Sequence, residues 1–424
     1  MLSIVPLRTA DPARYYLEAL SAGAEEYYLR RDDLPGRWLG RAAASLGLSG
    51  VVDPDDLRAL LAGKRPDGTD LRDSWVLRPG YDATFSAPKG VSVLWALGDR
   101  ETARAVITAH EAAVDDAVAY LERHGCRVRR GGLHGRGVAF HDGGGVVGAA
   151  FRHLTSREGD PQLHTHVLIA NATSGPDGRW TAIDSKGLYA HGRAATAIYH
   201  AVLRRHLVEA LGVGFDVSGD GRGNLAGIPD TVVRRFSKRR AAIEKHMREH
   251  HTSGAKAAQV ATLATRKAKE QGVSETRLRV RWLEEADELG FDPVSVPRLP
   301  GRQPAALPID EEIASRITLD DATFDRAKVA WVLAANAVDG AELAEIEQRA
   351  DAFLAGPLVV DLPEGRWTTT EMLALEEGVL VTALKGTGDR CGESRGRRRG
   401  CGPGRPPFAV RRAGGHGETH LHER

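Results

Sequence analysis

The chain has 424 residues, 58 Lys and Arg against 57 Asp and Glu, and 42% hydrophobic side chains. That is long enough for two or more domains and too apolar for a wholly disordered chain. No run approaches the ~20 apolar residues that span a bilayer, and residues 1–16 lack the apolar core of a secretory signal, so a cytoplasmic protein without membrane insertion is expected. Cys126, Cys391 and Cys401 are too few and too scattered for a disulfide framework or a Cys-only zinc site.

In chain order, the first marked feature is two tyrosine pairs, Tyr15-Tyr16 and Tyr27-Tyr28, around an Ala-rich stretch. Asp53-Pro54-Asp55-Asp56 reads as a helix start, with Leu57, Leu60 and Leu61 behind it. Residues 83–86 and 91–97 read as strands, and residues 102–123 as an amphipathic helix with Val106, His110, Ala113, Ala117 and Leu121 on one stripe. Further strands are expected at 138–141, 146–153 and 163–170. Together these patterns predict one α+β domain over residues 1–292.

Pro293, Pro297, Pro300, Pro304 and Pro308 mark a linker over residues 293–308. Residues 309–384 read as a small, mostly helical unit resembling a winged helix. It has helices at 324–337 and 342–354, a strand at 358–362 and a further helix opening at Trp367. The last forty residues, 385–424, contain ten glycines and no periodic apolar pattern, and are expected to be disordered. Their Cys391, Cys401, His416, His420 and His422 fit no familiar zinc spacing.

The net charge of +1 hides an uneven distribution. Residues 234–281 carry 14 Lys and Arg against 4 Asp and Glu, and residues 385–424 carry 10 against 4. The first stretch includes Arg234, Arg235, Lys238, Arg239 and Arg240 in a helical context, so positive charge can form a face suited to phosphates as well as a merely solvated surface.

Period-two geometry puts His164 and His166 on one side of an apolar strand. Residues 155–162 read as a turn that returns the preceding strand antiparallel, with His153 available as a third imidazole. Three such donors leave coordination positions open on a cation, as a Lewis-acid site requires. The bland alternative is three core histidines satisfied by hydrogen bonds. Taken alone, the tyrosine pairs read first as core or interface aromatics and only second as a phenol nucleophile activated by a base or a metal.

The ordered set of Met1-Leu2-Ser3, the two Tyr-Tyr pairs, Arg37-Trp38, Leu46 to Gly50, Pro79 to Lys89 with Val91-Ser92, and Phe151 to His166 is similar to conjugative relaxases of the TrwC/TraI (MobF) type, members of the HUH endonucleases. The resemblance extends to about residue 290. It implies a central antiparallel sheet carrying His164 and His166, flanked by helices. It further implies a metal-dependent enzyme that nicks one DNA strand at an origin of transfer through a 5′-phosphotyrosine link, during plasmid mobilisation.

Residue by residue, the resemblance assigns the nick to Tyr15, a later strand transfer to Tyr27, metal ligation to His153, His164 and His166, and orientation near the metal to Asp82. Tyr16 and Tyr28 are the alternates. The Phe236 to Arg239 run also resembles the family, which places Lys89, Arg234, Arg235, Lys238, Arg239 and Arg240 on DNA. The implied cofactor is Mg²⁺ or Mn²⁺, with Zn²⁺ as the alternative. The implied partners are single-stranded DNA beside a hairpin, relaxosome accessory proteins and a type IV secretion coupling protein.

The resemblance has limits. Lys385-Gly386-Thr387-Gly388-Asp389 is only half of a phosphate loop, so no ATP site is expected here. The abrupt tail, together with 48 Arg against 10 Lys, leads us to expect a truncated or frameshifted relaxase without its helicase part. Other readings are a rolling-circle replication initiator, in which the tyrosine usually follows the His pair, and a truncated DNA-binding protein that does not cleave. A histidine-triad hydrolase is disfavoured because Thr165 interrupts the alternation.

Overall fold

A computed structural model describes residues 1–7, 36–72, 78–131, 137–219, 221–265, 275–299, 301–302 and 304–388. The elements begin β1 (Leu2–Pro6), β2 (Arg37–Leu39), α1 (Arg41–Ser45), α2 (Pro54–Leu61), β3 (Gly80–Ser86), α3 (Lys89–Leu97), α4 (Arg100–Tyr120), β4 (Arg127–Gly131), β5 (Val138–Asp142), β6 (Gly148–Thr155) and β7 (Pro161–Ala170). A small ribbon, β8 (Thr173–Ser174) and β9 (Trp180–Thr181), precedes the long α5 (Ser185–Leu211), followed by β10 (Phe215–Val217) and β11 (Gly223–Leu225). The basic stretch forms α6 (Asp230–Arg235), α7 (Lys238–Glu249), α8 (Ala255–Ala264) and α9 (Glu275–Asp287). Then come α10 (Asp310–Ile317), α11 (Arg326–Asn336), α12 (Leu343–Leu354), β12 (Val359–Leu362), β13 (Arg366–Thr369) and α13 (Thr370–Gly388).

The central sheet has the order β1-β3-β7-β6-β2 with every neighbouring pair antiparallel, the α+β arrangement expected from sequence. Alternation along its strands gives it two unlike faces. Tyr81, Ala83, Phe85, Leu163, Val167 and Ile169 are buried on the rear against α4 and α5. On the front, Trp38, Phe151, Leu168 and Ala170 pack with Leu57, Leu60 and Leu61 of α2. That cluster covers only part of the front face. The α2 start is as the sequence indicates: Asp53 accepts from the backbone N–H groups of Asp55 and Asp56, and Pro54 takes the first helical position.

Residues 91–97, expected as a strand, belong to helix α3, in which every residue from Gly90 to Leu97 is buried. A short apolar run with no polar face does not reveal its period. Between β3 and α4 this segment pairs with no strand, so burial requires it to close its own backbone hydrogen bonds as a helix. Likewise Trp367 lies in β13, paired with β12 around a turn in which Glu364 and Gly365 take positive φ, and the next helix starts at Thr370.

Residues 293–308, expected as a linker, are pinned along the body. Val296 is buried, Leu299 donates to the Gly212 carbonyl, and Arg302 and the Ala305 N–H both reach Asp339. Gly212 ends α5 with φ of 65°, and any Cβ there would lie 2.4 Å from the Leu299 oxygen, so both backbone angle and close approach require glycine. Beyond it, Ile313, Phe324, Val329, Leu333 and Phe353 join the same hydrophobic core as α4 and α5. Arg204 of α5, itself buried, donates to the carbonyls of Ala334 and Ala337 at the end of α11. Residues Met1–Leu373 form one compact unit and Ala374–Arg424 a second, of which the described part is the remainder of α13.

Candidate metal centre

The β6–β7 hairpin sets His153 directly opposite His164, and the next residue on that face of β7, His166, opposite Phe151. The three rings form a near-equilateral triangle, with centroids 5.2, 5.1 and 5.3 Å apart. One nitrogen from each lies within 4.8 Å of the others. A register slip of one residue would send His164 and His166 to the apolar rear, so the hydrophobic alternation of β7 itself holds the cluster in place.

Two of the rings are fixed by second hydrogen bonds. His164 Nδ1 donates to the Gln162 carbonyl at 2.8 Å, and His166 Nδ1 lies 3.0 Å from both carboxylate oxygens of Asp82. A neutral imidazole that donates through Nδ1 carries its lone pair on Nε2, so these acceptors select the tautomer suited to ligation. Asp82 is itself oriented by Thr84, whose Oγ1 is 3.1 Å from the carboxylate and 3.1 Å from His166 Nδ1. β3 supplies both residues because its register sets Thr84 opposite His166. The sequence reading missed Thr84, although its place two residues after Asp82 puts it on the same face.

The neighbouring His110 is of a different kind. It is buried on the rear, with one nitrogen 2.8 Å from the Tyr199 hydroxyl and the other 2.8 Å from Thr165 Oγ1. Burial holds its pKa well below the usual histidine value, so it stays neutral. It braces β7 from behind.

The cations expected on DNA divide into two groups. Arg234 and Arg240 are exposed and, among the described residues, bond within their own helical turns, to the Asp230 carbonyl and Glu244. Arg235 pairs with Glu285 and Glu288, Lys238 with Glu285 and Asp160, and Arg239 with the carbonyls of Thr262 and Thr265. Lys89 donates to the Pro161 carbonyl at 2.8 Å, and burial lowers its pKa to about 8. A further surface was not read from sequence: the β4–β5 ribbon, with exposed Arg127, Arg129 and Phe140 on one face, where Arg127 also lies 3.8 Å from Asp142. Tyr15, Tyr16, Tyr27 and Tyr28 lie outside the described residues, as do residues 389–424.

Known proteins share this fold. The TrwC relaxase family profile matches residues 9–289. The chain belongs to the TrwC relaxase family. The multifunctional conjugation protein TraI of Escherichia coli is 39% identical over 308 residues, which are 69% of this chain and 16% of TraI. The chain therefore matches only about a sixth of that relative's length. Among solved structures, a metal-bound conjugative relaxase TrwC in complex with oriT DNA superposes with a TM-score of 0.60 at 34% identity, covering 69% of this chain and all of that one. TrwC complexed with a 27-mer DNA comprising the recognition hairpin and the cleavage site gives 0.59 at 33%, with the same coverage.

The donor set in this TrwC-family domain fits a resident cation: three imidazoles converge, and two have their tautomers fixed by outer acceptors. Three nitrogen ligands suit a transition ion better than Mg²⁺, which prefers oxygen. No described helix is long and apolar enough to cross a membrane.

Proposed function

We propose that this chain is a metal-dependent, site-specific DNA strand transferase that nicks an origin of transfer and retains the 5′ end on tyrosine, acting on plasmid DNA in the cytoplasm. The observation that carries the reading is the His153, His164 and His166 triangle with two tautomers fixed by Gln162 and Asp82. Of the expected ions, the nitrogen donor set favours Mn²⁺ over Mg²⁺. When bound, the ion would polarise the scissile phosphate and offset the extra negative charge of the transition state.

The chain's own residues do the rest. Asp82 and Thr84 orient His166, and the Gln162 carbonyl orients His164. The Tyr15 hydroxyl attacks phosphorus, the bond from phosphorus to the 3′ oxygen breaks, and that oxygen leaves with a proton as a 3′ hydroxyl. No bond energy is lost, so Tyr27 can act in a later transfer and rejoin the strand. Arg234 and Arg240, and the Arg127 and Arg129 ribbon, supply phosphate contacts, and a two-stranded ribbon has the width of a DNA major groove. The substrate is single-stranded DNA beside a hairpin, delivered with relaxosome accessory proteins to a secretion coupling protein. Residues 1–292 form the nicking part, with α11 buttressing α5.

The test is a labelled origin oligonucleotide incubated with the full chain and Mn²⁺. A covalent adduct that withstands denaturation is expected, abolished by EDTA and by Tyr15→Phe. An adduct that persists in both controls would refute the assignment.

A further inference from the structure

The turn that joins the two histidine-bearing strands is held by the basic segment, through a buried carboxylate. Asp160, immediately before β7, has no accessible surface. Its Oδ2 accepts from the Lys238 backbone N–H at 2.7 Å, and its Oδ1 lies 3.3 Å from the Lys238 ammonium. Lys238 is the first residue of α7, whose own N-cap Ser237 makes no side-chain capping bond, so Asp160 caps that helix from another part of the fold. The preceding Gly159 carbonyl accepts from Trp282 Nε1 at 2.9 Å and from Arg281 at 2.7 Å, both on α9. Glu285 of α9 then binds Lys238 and Arg235, closing the network.

This attachment matters because α7 buries none of its residues. Its apolar side chains Ile243 and Met247 are only half-buried, and its N-terminal footing is polar, with Arg239 extending the hold to the last turn of α8. On the other side of the turn, the pairing register shifts between His153 and Thr155, an irregularity at which the hairpin can bend beside a ligand. Arg240 follows Lys238 by two residues on α7, so phosphates held there would act on the tip of the hairpin, four residues from His164.

We infer that Asp160 is a positioning residue that couples DNA binding on α7 and α8 to ion binding by His153, His164 and His166. The inference rests on the function proposed above, and its content is reciprocal: DNA on the basic helices tightens the ion site, and the ion tightens DNA.

The experiment is calorimetric titration of the full chain with Mn²⁺, alone and with an origin oligonucleotide that ends before the nick and so carries no scissile phosphate. The expected result for wild type is ion binding tightened about fivefold or more by this DNA, the range typical of linked sites. In Asp160→Ala the tightening falls within about twofold while Mn²⁺ affinity without DNA is kept, a separation that general loss of structure would not give. Asp160→Asn keeps an acceptor for the Lys238 N–H and should recover part of the coupling; should the alanine variant not fold, the asparagine variant must still couple less than wild type. Full coupling in either variant, no coupling in wild type, or equal loss of Mn²⁺ affinity with and without DNA would overturn the inference. A wild type that binds neither Mn²⁺ nor the oligonucleotide would instead remove the proposed function.

Discussion

Strand β7 presents Leu163, Thr165, Val167 and Ile169 to the rear of the sheet and His164, His166, Leu168 and Ala170 to the front. The histidines near it on the two sides differ in what binds them. On the rear, His110 has both nitrogens engaged by hydroxyl groups inside an apolar layer and serves packing. On the front, His164 and His166 each give Nδ1 to a fixed acceptor and converge with His153. A buried histidine with two hydrogen-bond partners is therefore part of the core, whereas histidines with one oriented nitrogen and a shared focus are a ligand set.

If the division is real, damage to each face should be read by a different measurement. The largest expected effect is on the rear. Phe85, fully buried 5.6 Å from the Tyr199 ring, should cost about 3–5 kcal/mol of stability on truncation to alanine. Urea unfolding checks that loss, and an accompanying large change in Mn²⁺ affinity of the folded variant would break the comparison.

Next is an acid sensitivity of the rear layer. His191, bonded to the Tyr120 hydroxyl at 3.0 Å, has its pKa lowered to about 4, chiefly by burial and then by His124. The unfolded chain takes up this proton near pH 6.5 and the folded one only near 4, so stability is lost as pH falls across that window. The loss approaches about 3 kcal/mol. Melting temperatures between pH 7 and 4 should fall less steeply in His191→Phe.

On the front, Asp82→Asn removes the carboxylate that orients His166 and should weaken ion binding about 10–100-fold, as loss of an outer partner of a ligating histidine does. Mn²⁺ titration gives the value, with little change expected in unfolding. The smallest effect belongs to the basic segment. Arg240→Gln should lower the slope of log affinity against log salt for DNA by about 1, with cleavage of bound DNA at saturating Mn²⁺ unchanged.

Much of the front face is legible in sequence because it depends on period two. His164 and His166 share a side by alternation, and the turn after His153 supplies the third ring. The start at Asp53 is legible for an equally local reason. What escapes is set by tertiary partners. Val91 to Leu97 is apolar throughout, so its helical state depends on the absence of a pairing strand. The charge of residues 234–240 is plain in sequence, but the engagement of Arg235, Lys238 and Arg239 with Glu285, Asp160 and α8 depends on residues far away in the chain. The packing of α11 on α5 escapes in the same way: prolines suggest a tether where Val296 and Asp339 fasten the segment.

His153, His164 and His166 are expected to hold one ion together. Pulsed electron paramagnetic resonance of the Mn²⁺-loaded chain tests it most directly, because coupling to imidazole nitrogen reports the ligands themselves. Three nitrogen couplings are expected in the wild type and two in His153→Ala; a Mn²⁺ signal with no nitrogen coupling would contradict the account.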